Sequence, residues 1–276
     1  IVLTSSLSAQ KLWVNAFAGL ANYAGDLQGR PFTFSQAKFA YGAGVSYEVS
    51  ERVFVRGGLT FGKVAADDKK NNKNTIRNLN FTSPLSEGHV AVEYYLVNLT
   101  EHSISPYIFA GVAVYGFNPY THDTSGKKIF LKPLSTEGEG FYPNRQNYKL
   151  TQFAIPFGGG IKMALNENVR IGLEYGLRKL FTDYLDDVST TYVDQNLLLA
   201  NRGPEAVALA FRGNELKNGS TYPADGAKRG GIHKDWYYFG GLTASFRLGA
   251  NSGGGSGSGF LSNKKGSKLG CPTKIY

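Results

Sequence analysis

A group of aspartates in the second half of the chain has the composition of a cation site. It comprises Asp183, Asp186, Asp187 and Asp194, and the first three lie in the run Asp-Tyr-Leu-Asp-Asp-Val-Ser. Clustered carboxylates are ligands that calcium takes, but an EF-hand loop would need a central glycine and a terminal glutamate. We therefore expect Asp183, Asp186 and Asp187 to accept hydrogen bonds from backbone amides of their own loop, and we expect no bound metal.

The histidines do not have the surroundings of catalytic residues. Serine-dependent hydrolases and acyltransferases combine a histidine with a serine and an acid or amide. None of His89, His102, His122 and His233 accompanies a serine motif of the nucleophile-elbow type. The glycines at 158–160 lie inside a strand pattern, where no helix start could direct its amides at a phosphate. We expect no enzymatic activity and no cofactor.

A second set of charged residues alternates with large apolar residues. Its members are Glu48, Arg56, Glu93, Lys162, Arg170, Glu174, Arg178 and Arg247. On a lipid-facing surface an arginine or lysine at mid-membrane costs about 2–4 kcal/mol, so these side chains must face the opposite way, into a closed lumen. Opposite charges in such a lumen can pair. The sequence predicts that Glu48, Glu93 and Glu174 pair with Arg56, Arg178, Lys162 or Arg247.

The elements that carry these charges are segments with a period of two. The clearest is 236–248, where Trp236, Tyr238, Leu242 and Phe246 share one face. Strands of globular domains are usually about five or six residues long, whereas a tilted strand needs about nine to eleven to cross a bilayer. The predicted strands have the membrane length, and they are 11–23, 39–49, 52–63, 87–98, 105–117, 152–165, 169–181 and 236–248.

Short and long connections alternate between these strands. The short ones are 50–51, 99–104 and 166–168, and the long ones are 24–38, 64–86, 118–151 and 182–234. This alternation is typical of outer-membrane barrels, which have tight periplasmic turns and long outer loops. We predict an all-β fold, an eight-stranded antiparallel transmembrane β-barrel in the bacterial outer membrane, with both termini periplasmic.

Composition and the chain ends suggest one domain with a leader and a tail. Residues 1–9 resemble the end of a signal peptide, with cleavage after Ala9, although a short first strand is the alternative. The barrel is expected over 10–248, and 249–276 form a glycine- and serine-rich linker with a periplasmic tail. The net charge of +9 comes from dispersed residues, and the aromatic residues are expected to face lipid, so no nucleic-acid site is predicted.

The tail ends in apolar and basic residues after its flexible linker. The relevant residues are Phe260, Leu261, Lys264, Lys265 and Cys271. Two interpretations are open: the tail is disordered and has no role, or it is a tethered peptide that binds a periplasmic partner. Cys271 is the only cysteine, which excludes an internal disulfide and a cysteine-rich metal site.

Several local sequences together resemble a known family. They include Arg-Asn-Leu-Asn-Phe at 77–81, Phe-Asn-Pro-Tyr at 117–120 and Ile-Pro-Phe-Gly-Gly-Gly-Ile-Lys at 155–162. The most specific part is the run that contains Asp183, Tyr184, Asp186 and Asp187. Over about residues 12 to 248 the chain resembles the PorG-like outer-membrane barrels of the Bacteroidota, which are associated with the type IX protein secretion system.

The resemblance implies a function without catalysis. Such a barrel would anchor in outer-membrane lipid and contact a periplasmic lipoprotein or ring subunit of the secretion machine. The leading hypothesis is therefore an accessory component of type IX secretion. The alternative is a surface barrel of the adhesin or ligand-binding kind that works through its outer loops, and a barrel enzyme ranks third. A passive porin is disfavoured because eight strands leave a filled lumen.

Overall fold

Eight long antiparallel strands close into a barrel, as the sequence predicts. In chain order the strands are β1 (Leu12–Ala24), β2 (Lys38–Ser50), β3 (Val53–Asp67), β4 (Asn80–Tyr95), β5 (Ile104–Phe117), β6 (Tyr120–His122), β7 (Lys128–Phe130), β8 (Thr151–Ala164), β9 (Val169–Leu180) and β10 (Trp236–Arg247). The short strands β6 and β7 form a hairpin beside β4, and the other eight form the barrel. The barrel closes where β1 pairs with β10, from Trp13 opposite Arg247 to Ala24 opposite Trp236.

The structure, a computed structural model, describes residues 11–28, 33–70, 74–231 and 233–249. The predicted leader at 1–9 and the predicted partner-binding residues Phe260, Leu261, Lys264, Lys265 and Cys271 lie outside these ranges. Among the described residues, no helix is long and apolar enough to cross a membrane.

The two faces of the barrel wall differ in the way that the period of two predicts. The outward positions carry exposed aliphatic and aromatic residues, among them Val45, Leu59, Val90, Val112, Phe153, Leu173, Leu242 and Phe246. The inward positions carry buried polar or charged residues such as Ser46, Glu93, Lys162 and Arg178. A continuous band of exposed apolar side chains is the lipid-facing surface of a membrane barrel.

The expectation that the aromatic residues face lipid is wrong for a large group of them. Buried inside the barrel are Trp13, Tyr95, Tyr107, Phe109, Tyr115, Phe117, Tyr237 and Phe239. Glycines on facing strands make the room: a Cβ on Gly158 would lie 3.0 Å from the Phe109 ring, and one on Gly176 would lie 2.7 Å from it. Inward glycines therefore leave space for rings as well as for charged side chains.

Two strands extend further than the sequence predicts. β3 reaches Asp67 and β4 begins at Asn80, so the connection expected at 64–86 is only 68–79. The additional inward residues Val64, Phe81 and Leu85 are buried in the same apolar cluster as loop residues above the barrel. The longest connection also contains two helices, α1 (Gln195–Arg202) and α2 (Pro204–Ala210). Asp194 caps α1 by accepting a hydrogen bond from the Leu197 amide at 2.9 Å.

Candidate functional site

Four of the predicted lumen charges form one network around Arg56. The Arg56 guanidinium donates to Glu93 Oε1 at 2.8 Å and to both carboxylate oxygens of Glu174, at 2.5 and 3.0 Å. Lys162 Nζ lies 3.0 Å from the other oxygen of Glu93. The Tyr107 hydroxyl donates to Glu174 at 2.6 Å. Both carboxylates thus have several donors, which is what a charge inside a membrane barrel requires.

Arg178 pairs with a residue that the sequence analysis missed. Its Nε and Nη2 atoms donate to the two oxygens of Glu87 at 2.9 and 3.0 Å. Glu87 also accepts a hydrogen bond from Tyr237 at 2.7 Å, and His89 Nδ1 lies 3.2 Å from it. The signal was present in the sequence, because an even separation along β4 places Glu87 on the same face as Glu93.

The other predicted lumen residues, Glu48, Arg170 and Arg247, lie around Trp13. They are at the end of the barrel that carries the short turns, which we call the short-turn end. Glu48 accepts a hydrogen bond from Trp13 Nε1 at 3.4 Å. The Arg170 guanidinium lies 3.8 Å from the centre of the Trp13 ring, and that of Arg247 lies 5.6 Å from it. Within the described ranges Arg170 has no carboxylate at ion-pair distance, which differs from the predicted pairing.

Aromatic side chains separate these two regions of the lumen. Trp13, Phe54, Tyr95 and Tyr107 are buried in one cluster, with the Tyr95 ring 4.9 Å from Phe54 and 5.4 Å from Tyr107. Beyond this layer, a cavity of about 60 Å³ lies beside the Arg56 network. A cavity of that size holds only a few water molecules. The arrangement is that of a filled barrel.

The long connections fold into an ordered structure over the other end of the barrel. We call this structure the cap, and it comprises the described residues of 25–37, 68–79, 118–150 and 181–235. Its apolar side chains are buried together with those in the adjoining half of the barrel interior, and they include Leu27, Leu79, Ile129, Leu134, Leu185, Val193, Leu198 and Leu209. The cap has a core that is continuous with that of the barrel.

Two buried arginines join the long connections that form the cap. Arg77 donates to both oxygens of Asp68 at 2.8 Å, and its Nη1 reaches the Arg229 carbonyl at 2.5 Å. Arg229 in turn donates to Glu137 at 3.0 Å and to the Asp187 carbonyl at 2.7 Å. The Glu137 carboxylate also accepts from the amides of Ser189 and Thr190. These contacts join segments 68–79, 118–150 and 181–235.

The three aspartates of the run at 183–189 also accept hydrogen bonds within the cap. Asp186 accepts from the Val188 amide at 3.0 Å, which is the backbone capping that the sequence predicts. Asp183 accepts from the Ser189 hydroxyl at 3.0 Å instead, and Asp187 from the hydroxyls of Thr136 and Tyr148 at 2.7 and 2.6 Å.

The residue between these aspartates also takes part in packing. The Tyr184 ring stacks on Tyr148, with 4.8 Å between ring centres. Asp187 has a φ of 66°, which is uncommon for a residue other than glycine. Side chains from other connections hold it there, because Tyr148 and Thr136 both belong to 118–150.

Burial is the largest influence on the carboxylates of the cap. It raises the pKa of Asp183 to about 6, and it raises the pKa of Asp187 to about 6 although Arg229 opposes the change. Asp186 and Asp235 both contact the Tyr23 hydroxyl, which has one proton to donate. Burial and neighbouring carboxylates raise the pKa of both aspartates well above its ordinary value. Burial, Asp187 and Glu137 raise the pKa of Glu139 to about 8.

Among the described residues, no group of three or more histidine, cysteine or acidic side chains is placed to hold a metal ion. The aspartates of the cap instead contact protein hydroxyls and amides. The part of the chain that the structure describes therefore offers two polar centres, the Arg56 network in the lumen and the buried ion pairs of the cap.

Residues 1–200 match the sequence model of a family described as Domain of unknown function (DUF6089). The chain belongs to this family. The match covers most of the 276 residues of this DUF6089 member, including the barrel as far as β9 and the aspartate run. No curated protein matches the sequence.

Solved structures with a similar fold are outer-membrane barrels of low identity. Neisserial surface protein A (NspA) is 10% identical, with a TM-score of 0.45, covering 87% of this chain and 98% of that one. Ail of Yersinia pestis, solved with the heparin analogue sucrose octasulfate, is 8% identical at a TM-score of 0.41, covering 86% and 97%. OprG from Pseudomonas aeruginosa is 10% identical at a TM-score of 0.39, covering 87% and 98%.

Proposed function

We propose that this DUF6089 protein is a non-enzymatic outer-membrane scaffold that acts by binding other proteins, as an accessory component of a type IX secretion machine. The observation that carries this proposal is that the middle of the lumen and the cap end of the barrel are both filled. Aromatic residues and the Arg56 network occupy the interior, and the cap covers the outer end. A filled barrel offers no channel for solutes, so its surfaces are what remains for function.

The distribution of exposed charge supports an orientation with the cap outside the cell. Exposed basic residues surround the cap and the nearby strand ends: Lys38, Lys63, Lys69, Lys70, Lys127, Lys128, Lys149, Lys179, Arg202, Lys217, Lys228 and Lys234. Exposed acids are fewer there. Among the described residues at the short-turn end, the exposed acids are Glu51, Glu101 and Glu167, and the exposed bases are Lys11 and Arg52. A basic end suits a leaflet of phosphate-bearing lipid, because such lipids attract lysine and arginine.

In this orientation the short turns and both chain ends face the periplasm. β1 begins and β10 ends on the side of the short turns. A partner in the periplasm, such as a ring lipoprotein or ring subunit, would meet the turns 51–52, 96–103 and 165–168 and the tail that follows β10. The resemblance to PorG-like barrels supports the same side and the same class of partner.

A second candidate function is binding of an extracellular ligand by the cap. The specific observation in its favour is that the cap is ordered by buried ion pairs and exposes apolar residues as well as lysines. Ile76 is 66% exposed, and Leu197 and Leu199 on α1 are 38% and 46% exposed. A rigid surface of this kind suits an adhesin or ligand-binding barrel.

The test is affinity purification of the full chain from gently solubilised outer membrane. A tag inserted at the exposed turn 124–126, between β6 and β7, leaves both chain ends free. We expect the tagged protein to retain a periplasmic ring component. Truncation after Leu248 should abolish that retention and impair export of secreted cargo, while the barrel still shows heat-modified gel mobility.

A matched control separates the two candidate functions. Substitution of exposed cap residues, as in Leu197→Ser with Leu199→Ser, should leave both retention and export unchanged if the periplasmic side binds the partner. Normal export in a strain without the protein, together with loss of cell-surface binding in the cap variant, would overturn the secretion role in favour of the second candidate.

A further inference from the structure

The short-turn end of the barrel contains a cavity that the proposed scaffold role does not itself require. It has a volume of about 420 Å³ and is lined by strand ends and two short turns, with Glu48, Leu99, Asn166, Glu167, Arg170 and Arg247 among the lining residues. Two of its lining residues, Leu99 and Ala164, pack in the aromatic cluster around Trp13. At about 30 Å³ per water molecule, the space is large enough for one or two amino-acid side chains. We call this cavity the vestibule.

Arg170 is the unusual residue of the vestibule. Its side chain is largely buried, at 8% exposure, and among the described residues no carboxylate lies within 4.0 Å of it. A buried cation in a barrel is normally paired, as Arg56, Lys162 and Arg178 are here. Its guanidinium instead lies 3.8 Å from the centre of the Trp13 ring and 5.2 Å from that of Phe54, and it interacts with the Tyr95 side chain and with the charge of Glu48.

A second arginine increases the positive charge of the vestibule. Arg170 faces Ser245 across β9 and β10, so Arg247, two residues further along β10, lies diagonally from it on the same face. Like charges in that position repel. Glu48 is the carboxylate that offsets them at depth, and its side chain accepts the indole proton of Trp13 at 3.4 Å. Glu167 lies at the exposed rim, in the turn 165–168. The deep part of the vestibule therefore contains two guanidinium groups and one carboxylate.

We propose that the vestibule binds a carboxylate side chain of a periplasmic protein, with Arg170 as its principal contact. A planar guanidinium presents a fork of donors that matches a carboxylate, and its stacking on Trp13 fixes the orientation of the fork. The bound carboxylate supplies the ion-pair partner within 4.0 Å that Arg170 lacks among the described residues. This inference rests on the proposed function only in placing the short turns in the periplasm, and binding itself can be measured on the purified protein.

The fluorescence of Trp13 can report directly whether a carboxylate binds in the vestibule. The chain has two tryptophans, so Trp236→Phe leaves Trp13 as the only indole, in contact with the arginine that would change partner. The protein, as the full chain in detergent micelles, is titrated with a capped tetrapeptide that contains two glutamates, and Trp13 fluorescence is recorded. The matched peptide contains two glutamines in the same places. We expect a saturable change with the glutamate peptide alone.

Substitutions identify the contact. Arg170→Gln should weaken binding about tenfold or more, because a hydrogen bond to a charged group is lost. Arg52→Gln removes an exposed arginine on the same side that does not line the vestibule, so binding should be unchanged. Glu48→Gln removes the competing carboxylate and should strengthen binding. If Arg170→Gln does not fold, Arg170→Lys keeps the charge without the fork and should bind more weakly than the parent.

The outcomes that overturn the site are specific. They are no fluorescence change with the glutamate peptide, an equal change with the glutamine peptide, or unaltered binding in the Arg170 variants. Failure here is distinguishable from failure of the secretion role. Peptide binding without retention of a ring component would leave the vestibule site standing, and retention without peptide binding would leave the scaffold role standing.

Discussion

Arg229 donates a hydrogen bond to Glu137 at 3.0 Å, and the two residues are 92 positions apart in the sequence. Both side chains are almost completely buried, at 2% and 0% exposure. The pair joins the two longest connections of the DUF6089 barrel. Like the pair of Arg77 with Asp68, it is the counterpart in the cap of the ion pairs in the lumen.

Arg229→Met should loosen the cap. The substitution leaves Glu137 buried without its cation, and breaking such a pair costs about 3–5 kcal/mol. The measurement is the urea dependence of proteolytic cleavage within 181–235. Lys127→Met is the matched control, because Lys127 and Glu205 form an exposed pair at 3.3 Å and such pairs contribute under about 1 kcal/mol. Equal protection in both variants would contradict the prediction.

Glu174→Ala should destabilise the barrel itself. It removes a partner of Arg56 and the acceptor of the Tyr107 hydroxyl, so we expect a loss of about 3–5 kcal/mol. The urea midpoint of unfolding in detergent reports the loss, and Glu167→Ala at the exposed rim is the control. An unchanged midpoint for Glu174→Ala would mean that water solvates the network.

Calcium should not bind the aspartate run with useful affinity. The Asp183, Asp186 and Asp187 carboxylates already accept hydrogen bonds from Ser189, Val188, Thr136 and Tyr148. Calorimetric titration should show no binding tighter than about a millimolar, the weak end of the range for extracellular calcium modules. Tighter binding that disappears in Asp186→Ala would refute this prediction.

The cap should become less stable as the pH rises. The folded-state pKa of Glu139 is raised from 4.5 to about 8, so between these values the folded state holds a proton that the unfolded state has lost. Stability linked to this group is complete below pH 4.5 and is lost as the pH approaches 8. Cleavage within 181–235, normalised to an unstructured peptide, should be faster at pH 8 than at pH 5.5. Glu139→Gln should reduce this difference.

Gly138 should tolerate no side chain. Its φ is +83°, and a Cβ there would lie 2.7 Å from Tyr142 Cβ. Gly126 has nearly the same φ, +84°, with nothing within 4 Å. Gly126→Ala should therefore cost only about 1–2 kcal/mol for the left-handed backbone, and Gly138→Ala should cost more because a steric clash is added. Cap proteolysis measures both, and equal effects would show that the loop around Gly138 can move.

The barrel could be predicted from the sequence because the features that indicate it lie within single segments of the chain. A period of two, strands of membrane length and alternating connections are all visible along the chain, and they give eight antiparallel strands. The strand limits at Asp67 and Asn80 could not be predicted, because they depend on packing of Val64 and Phe81 against the cap.

The candidate sites were predicted only in part, because they depend on which residues meet across strands. The Phe109 ring fits inside because Gly158 and Gly176 lie opposite it, which requires the register of three strands. The pairing of Arg178 with Glu87 and the stacking of Arg170 on Trp13 depend on the same registers. In the cap, no local pattern predicts that Glu137 pairs with Arg229, because the two residues lie in different connections.

The closing pair of strands couples the cap to the barrel. β10, the last of the described strands in chain order, pairs with β1, and the connection 181–235 that completes the cap immediately precedes it. The hydrogen bond from the Gly231 amide to Asp26, at 2.7 Å, spans 205 positions. Bringing together residues this distant in sequence costs loop-closure entropy, which the contacts made by barrel closure offset. We therefore expect a protease-resistant cap only in chains whose barrel has closed.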